Sequence, residues 1–192
     1  MTEYGNQHYP ENSKELQTDD KSIKSVYEWV EAAVFSMICV SIVFMFLFRI
    51  VGVDGDSMFP TLYNYDRLVI SRFNYTPQRG DIVIINRYRE EPLVKRVIAI
   101  GGDTLEINGE TNQVIVNGKE LEEPYVFGIT QPLGFEPNKQ DVPDGYIFVM
   151  GDNRQNSKDS RDSLEVGFIK QTDIMGKAVF RFFPLSRAGR LD

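Results

Sequence analysis

The sequence predicts a mainly β protein: an antiparallel β-sheet domain carried on a single N-terminal transmembrane helix. Three observations predict it. Residues 32–48, AAVFSMICVSIVFMFLF, pass without a charge, close to the length a bilayer demands of a helix. Beyond them the chain breaks into short runs rich in β-branched residues, each bounded by Pro, Gly or Asp. Asn108-Gly109 and Asn117-Gly118 are hairpin turn signals, because both central positions of such turns need positive φ.

Residues 1–28 form a polar tail, rich over the first 25 or so in Glu, Asp, Asn and Gln and expected to be mobile. A transmembrane helix is expected over 29–51. Tyr27 and Trp29 stand where interfacial aromatic anchors belong, Arg49 can snorkel to headgroups, and Ile50 and Val51 extend the span to about 20 residues. The run is apolar all round and lacks the polar stripe of a surface helix. A cleavable signal peptide fits less well, since the tail is long and acidic and no small-residue site follows in FRIVGVDGD. Lys14, Lys21 and Lys24 precede the run while Arg49, Arg67 and Arg72 follow it, so charge leaves the orientation open.

Residues 52–192 read as one β domain. Strands are expected in 66–73, 80–88, 93–100, 145–151 and 177–184, with a hairpin about Asn108-Gly109 and a second turn at Asn117-Gly118. The Pro- and Gly-containing stretch 120–144 reads as a loop. Phe180, Phe182 and Phe183 are expected in the core, or in part at a membrane interface.

Composition removes several functions. A formal charge of −7 with scattered basic residues offers no electrostatic footprint for nucleic acid. Cys39 is the single cysteine, so neither a disulfide nor a cysteine metal site can form. His8 is the single histidine and lies in the tail, which excludes a Ser-His-Asp triad or a histidine zinc site in the β domain. A nucleophilic serine there must find another base, and a lysine is the natural substitute. Such a lysine must be neutral, so burial has to depress its pKa. Lys95 has the setting: in a strand over 93–100 its face-mates are Leu93, Val97 and Ala99. The plainer alternative is a strand-end lysine that reaches solvent.

GDSMFPTL, LVKRVIAIGGD and GDNRQNSKDSR occur in this order. The ordered set resembles the type I signal peptidases, the bacterial serine-lysine leader peptidases, and among them the compact members with one membrane helix. The resemblance runs from about Trp29 to Phe183. It implies a serine endopeptidase that cleaves signal peptides from exported preproteins after small residues in an Ala-x-Ala-like pattern. Ser57 matches the nucleophile and Lys95 the general base. Ser157 matches the serine whose hydroxyl orients that lysine, and Asp159 and Arg161 match the supporting polar pair. Met58, Leu62 and Val94, neighbours within the motifs, are expected to line shallow apolar substrate pockets. No metal and no cofactor are implied. The implied partners are preprotein signal peptides and the lipid bilayer, with the secretion translocon close by. The implied location is the bacterial cell membrane, single-pass, with the N-terminus cytoplasmic and the catalytic domain outside. Ser57 follows Val51 by six residues, within roughly 20 Å of the expected helix end if extended.

Two positions depart from the family pattern. Some members carry a hydroxyl residue two before the nucleophile as an oxyanion donor; here that residue is Gly55, and a Gly55→Ser change is expected to be tolerated. Gln155 stands where an aspartate is common. A self-cleaving repressor-type serine-lysine protease is a poorer fit, because the chain has an acidic tail and a membrane helix where a DNA-binding module would be needed. A binding-only relative is disfavoured by the intact Ser57, Lys95 and Ser157 set. Arg79-Gly80-Asp81 begins a strand in the family pattern and is not expected to serve adhesion. Asn74-Tyr75-Thr76 is a glycosylation sequon of no consequence in a bacterium.

Overall fold

The computed structural model describes residues 12–88, 91–135 and 138–191, with 12–23 and 46–47 described by backbone alone. The chain divides into two compact units, Met1–Phe46 and Leu47–Asp192. The first holds most of one helix, α1 (Asn12–Leu47). Its segment Lys24–Met45 is long and apolar enough to cross a membrane. Large side chains are exposed along it, from Tyr27 and Trp29 to Phe44 and Met45, as expected of a candidate membrane span.

Both ends of α1 differ from expectation. The helix is already formed at Asn12, within the segment expected to be mobile; His8 lies outside the described residues. At the other end it stops at Leu47, and Phe48–Gly52 is a strand, β1. Ile50 and Val51 therefore extend a sheet and not the apolar helix. Their backbone groups pair with β2 (Arg67–Ser71), in register from Phe48↔Ser71 to Gly52↔Arg67. β-Branched residues favour that pleated pairing over a last helical turn.

The second unit is built from two antiparallel sheets. The larger takes β1, β2, β3 (Ile82–Ile85), β4 (Leu93–Ile100), β9 (Tyr146–Met150), β10 (Ile169–Lys170), β11 (Ile174–Phe183) and β12 (Gly189–Arg190). Its order is β1-β2-β11-β3-β4-β9-β10, with β12 added beside β11. The smaller contains β5 (Thr104–Ile107), β6 (Val114–Val116), β7 (Lys119–Glu120) and β8 (Lys139–Asp141) in the order β7-β6-β5-β8. The strands expected from sequence all form: 93–100 at full length, 66–73, 80–88 and 145–151 trimmed, and 177–184 begun earlier, at Ile174. Asn117 and Gly118, at φ 54° and 76°, make the tight turn between β6 and β7. The turn at Asn108-Gly109 is wider than a two-residue hairpin. The Asn108 side chain accepts from the amides of Glu110 and Thr111, and this local capping spreads the loop over residues 108–113.

The core explains why β3 reads as an unbroken apolar run. Ile82 and Ile84 join one buried cluster with Met58, Leu62, Leu68, Ile70 and Val94, while Val83 and Ile85 join another with Val97, Ile147 and Val149. Period-2 alternation thus buries both faces of the central strands. A third cluster, with Ile98, Leu105, Val116 and Phe148, joins the two sheets. On β4, Leu93 and Val97 share a cluster as expected, but a register shift between Val97 and Ala99 sends Ala99 into the third. Of the aromatic residues of β11, Phe180 and Phe183 are exposed and do not join the core. They lie where the pairing with β2 slips, between Ala178 and Phe180 and between Arg181 and Phe183, and a slip of one residue turns a side chain to the opposite face.

Candidate active site

Ser57 opens a tight turn that leads off β1. The Phe59 amide donates to the Asp56 carbonyl at 3.1 Å and the Leu62 amide to the Met58 carbonyl at 2.8 Å. Met58 and Leu62, 1% and 0% exposed, tether the turn to the core. Lys95 comes from the middle of β4, where it pairs with Val83 of β3. The two motifs are 38 residues apart in sequence, and their side chains meet: Lys95 Nζ lies 2.6 Å from Ser57 Oγ. Lys95 is 2% exposed. Burial pulls its amine down to about 8, against a partial opposing pull from the Asp159 and Asp152 carboxylates, while the Arg161 guanidinium lowers it further.

The third motif follows β9 and wraps against this pair. Asp159 is fully buried and accepts from Arg161 Nε at 2.8 Å, Arg161 Nη2 at 2.9 Å, Ser157 Oγ at 2.6 Å and the Gly151 amide at 3.0 Å. Burial alone would raise its pKa, but the Arg161 guanidinium and these donors hold it below the ordinary carboxylate value. The Ser157 hydroxyl donates to Asp159, and among the described residues Lys95 Nζ bonds to Ser57 and to the Val94 carbonyl at 3.2 Å. Ser157 still lines the site, because a β-carbon on Gly151 would fall inside contact distance of both Ser157 Oγ and the Ser57 carbonyl.

Residues outside the predicted set complete the site. Asp152 and Arg96, both buried, pair through Nε–Oδ1 at 2.9 Å and Nη2–Oδ2 at 2.8 Å, and Thr61 donates to Asp152 at 2.5 Å. Asn153 donates its backbone amide to the Ser57 carbonyl at 3.0 Å and its side-chain amide to the Asp56 carbonyl at 3.2 Å. These residues lie within the three motifs; Arg96 is a charge on the otherwise apolar β4, whereas Thr61, Asp152 and Asn153 lie outside the strands.

Met58, Leu62 and Val94, expected to line shallow apolar pockets, are 1%, 0% and 9% exposed and share one core cluster. The structure places them as the wall behind the Ser57 turn, with close to no solvent-facing surface. Gly55 has φ 81°, and its amide donates to Asn64 Oδ1 at 3.2 Å. A serine there would be held in a left-handed conformation that L side chains rarely adopt, which overturns the expectation that it is tolerated. Among the described residues the Ser57 backbone N–H has no hydrogen-bond partner. The Arg-Gly-Asp segment is structural: Arg79 pairs with Asp103, and buried Asp81 accepts from Tyr75 at 2.7 Å and pairs with Lys177 at 2.5 Å. Among the described residues no cluster of His, Cys, Asp and Glu is arranged to hold a metal ion.

A serine hydroxyl against a buried amine, on a β domain that follows a candidate membrane span, is an arrangement that suits a serine hydrolase. Comparison with known proteins makes it particular. The family described as "Signal peptidase, peptidase S26" matches residues 26–183. Signal peptidase I S of Bacillus subtilis is 37% identical over 174 residues, covering 85% of this chain and 92% of the relative. A probable signal peptidase I-1 of Synechocystis is 40% identical over 151 residues, covering 72% and 73%. A crystal structure of a signal peptidase I from Enterococcus faecalis V583 is 30% identical, covers 55% of this chain and 98% of its own, and superposes with a TM-score of 0.45. The chain belongs to the peptidase S26 signal peptidases, and it is a peptidase that removes signal peptides.

Proposed function

We propose that the peptidase works through a Ser57–Lys95 dyad and cleaves after small residues in an Ala-x-Ala-like pattern. The observation that carries this reading is the 2.6 Å contact between Lys95 Nζ and Ser57 Oγ. With the amine neutral, the Ser57 hydroxyl donates its proton to Lys95 Nζ as Oγ attacks the scissile carbonyl carbon. The carbonyl oxygen becomes an oxyanion, for which the unpartnered Ser57 backbone N–H is the donor at hand. Lys95 then passes the proton to the leaving nitrogen as the C–N bond breaks, leaving an ester on Ser57. Water, deprotonated by the same amine, hydrolyses that ester.

Asp159 and Arg161 fix the loop against the dyad, and Ser157 acts on Lys95 at one remove, by bonding to Asp159. We further read Lys24–Met45 as spanning the cell membrane, with the N-terminus cytoplasmic and residues 52–192 outside, near the translocon that delivers preproteins. Purified full-length protein in detergent should convert a preprotein to its mature length, and Ser57→Ala should abolish the conversion. Equal cleavage by both proteins would refute Ser57 as nucleophile, and no cleavage by either would favour the binding-only relative.

A further inference from the structure

The segment between β7 and β8 belongs to none of the three motifs, yet it sends a carboxylate into the interior beside them. The Glu123 side chain is 11% exposed and grips Arg154, whose side chain is 0% exposed. The grip is two-pronged: Arg154 Nη1 donates to Oε2 at 3.1 Å and Nη2 donates to Oε1. Arg154 also donates from Nε to the Gly151 carbonyl at 3.1 Å and from Nη1 to Thr130 at 2.5 Å. A bidentate ion pair sets orientation as well as position, so Glu123 determines where Arg154 holds Gly151. Gly151 in turn donates to Asp159, and it fills the narrow space between the Ser57 carbonyl and Ser157.

A second arm leads to the base. The Tyr125 hydroxyl donates to Glu123 Oε1 at 3.1 Å, and the Arg96 guanidinium stacks 4.0 Å above the Tyr125 ring. Arg96 is the neighbour of Lys95 on β4 and is itself paired with Asp152. One carboxylate therefore bears on the strand that carries the amine and on the loop that packs against the nucleophile.

We propose that Glu123 is a positioning residue of this active site, holding the Gly151 backbone through Arg154 at the spacing Ser57 and Lys95 require. The proposal rests on the reading of Ser57 and Lys95 as the reacting pair. A purely structural pair would behave differently. Removing one partner of a buried ion pair destabilises chiefly by stranding the other charge, and removing both relieves that cost.

The experiment compares full-length wild type, Glu123→Gln, and the double variant Glu123→Gln/Arg154→Gln in detergent, by thermal melt and by kcat and KM on a preprotein. Glu123→Gln is expected to melt lower. The double variant is expected to recover the melting temperature while kcat stays about 10²-fold down and KM is nearly unchanged, as for a small misplacement of reacting groups. Recovery of both melting temperature and kcat in the double variant would overturn the proposal, as would wild-type kcat in Glu123→Gln. Should the double variant fail to fold, Glu123→Asp decides. It keeps the charge but shortens the reach, so a folded protein with kcat about tenfold down supports positioning, and wild-type kcat refutes it. A wild type that does not cleave the preprotein would instead refute the dyad reading itself.

Discussion

Lys95 Nζ and Ser57 Oγ are 2.6 Å apart, on a strand and a turn that share one buried cluster through Val94, Met58 and Leu62. The amine is held near the middle of the working pH range by burial, with the Asp159 and Asp152 carboxylates limiting how far it falls. Hydrogen-bond reach and a depressed pKa are the two properties a general base needs.

The first consequence concerns pH. A lysine lowered from 10.5 to about 8 is protonated and inactive as a base below that value and free above it. The kcat/KM for preprotein cleavage should therefore rise with pH through about 8 and fall away on the acid side. Lys95→Arg keeps the charge but cannot shed a proton, its pKa being above about 12. Turnover should fall at least about 10³-fold, as for other members of a catalytic set. Near-normal turnover in Lys95→Arg, with folding checked by circular dichroism, would refute the base.

Asp159→Asn tests the electrostatics. The carboxylate raises the Lys95 pKa, so its removal lets burial act with less opposition and the acid limb should shift to lower pH. Arg161 would also be stranded without its buried partner, at a cost of about 3–5 kcal/mol. Denaturant melts and a pH–rate profile measure the two effects separately. A limb that stays put or moves to higher pH would contradict the assignment.

Gly151→Ala should fold poorly or lose activity. Its methyl group has to enter the space already held by Ser157 Oγ and the Ser57 carbonyl, and neither can retreat without disturbing the dyad. Overpacking of this kind costs about 1–3 kcal/mol. A Ser157→Gly/Gly151→Ala double variant should recover stability by vacating part of that space, whereas unchanged stability in Gly151→Ala alone would show that the loop yields.

Gly55→Ser should be less stable than wild type by about 1–2 kcal/mol, because φ 81° is costly for any residue with a β-carbon. The space around the added carbon is open, so the loss comes from the backbone and not from collision. Gly55→Asn, which tolerates this region better, should lose less. Equal melting temperatures for Ser and Gly at this position would disprove the strain.

Much was legible in one dimension. The uncharged run that begins at Ala32 announces a long apolar helix, which ends at Leu47, and the β-branched runs announce strands, because both signals depend only on neighbours in the chain. The single histidine lies in the tail, so a nucleophilic serine in the β domain needs another base, for which lysine is the natural substitute. Three short motifs in order were enough to name Ser57, Lys95, Ser157, Asp159 and Arg161 together.

What folding decided is a matter of distance and partners. That β1 takes Ile50 and Val51 from the apolar run depends on β2 being available to pair with them. The bond from Ser157 to Asp159, in place of one to Lys95, depends on how the loop after β9 closes. Glu123 and Arg154 are 31 residues apart, one in a segment that reads as a loop and the other in the third motif. No local pattern links them. A buried guanidinium must find an acceptor once water is excluded, and which acceptor it finds is settled only when the sheets have packed.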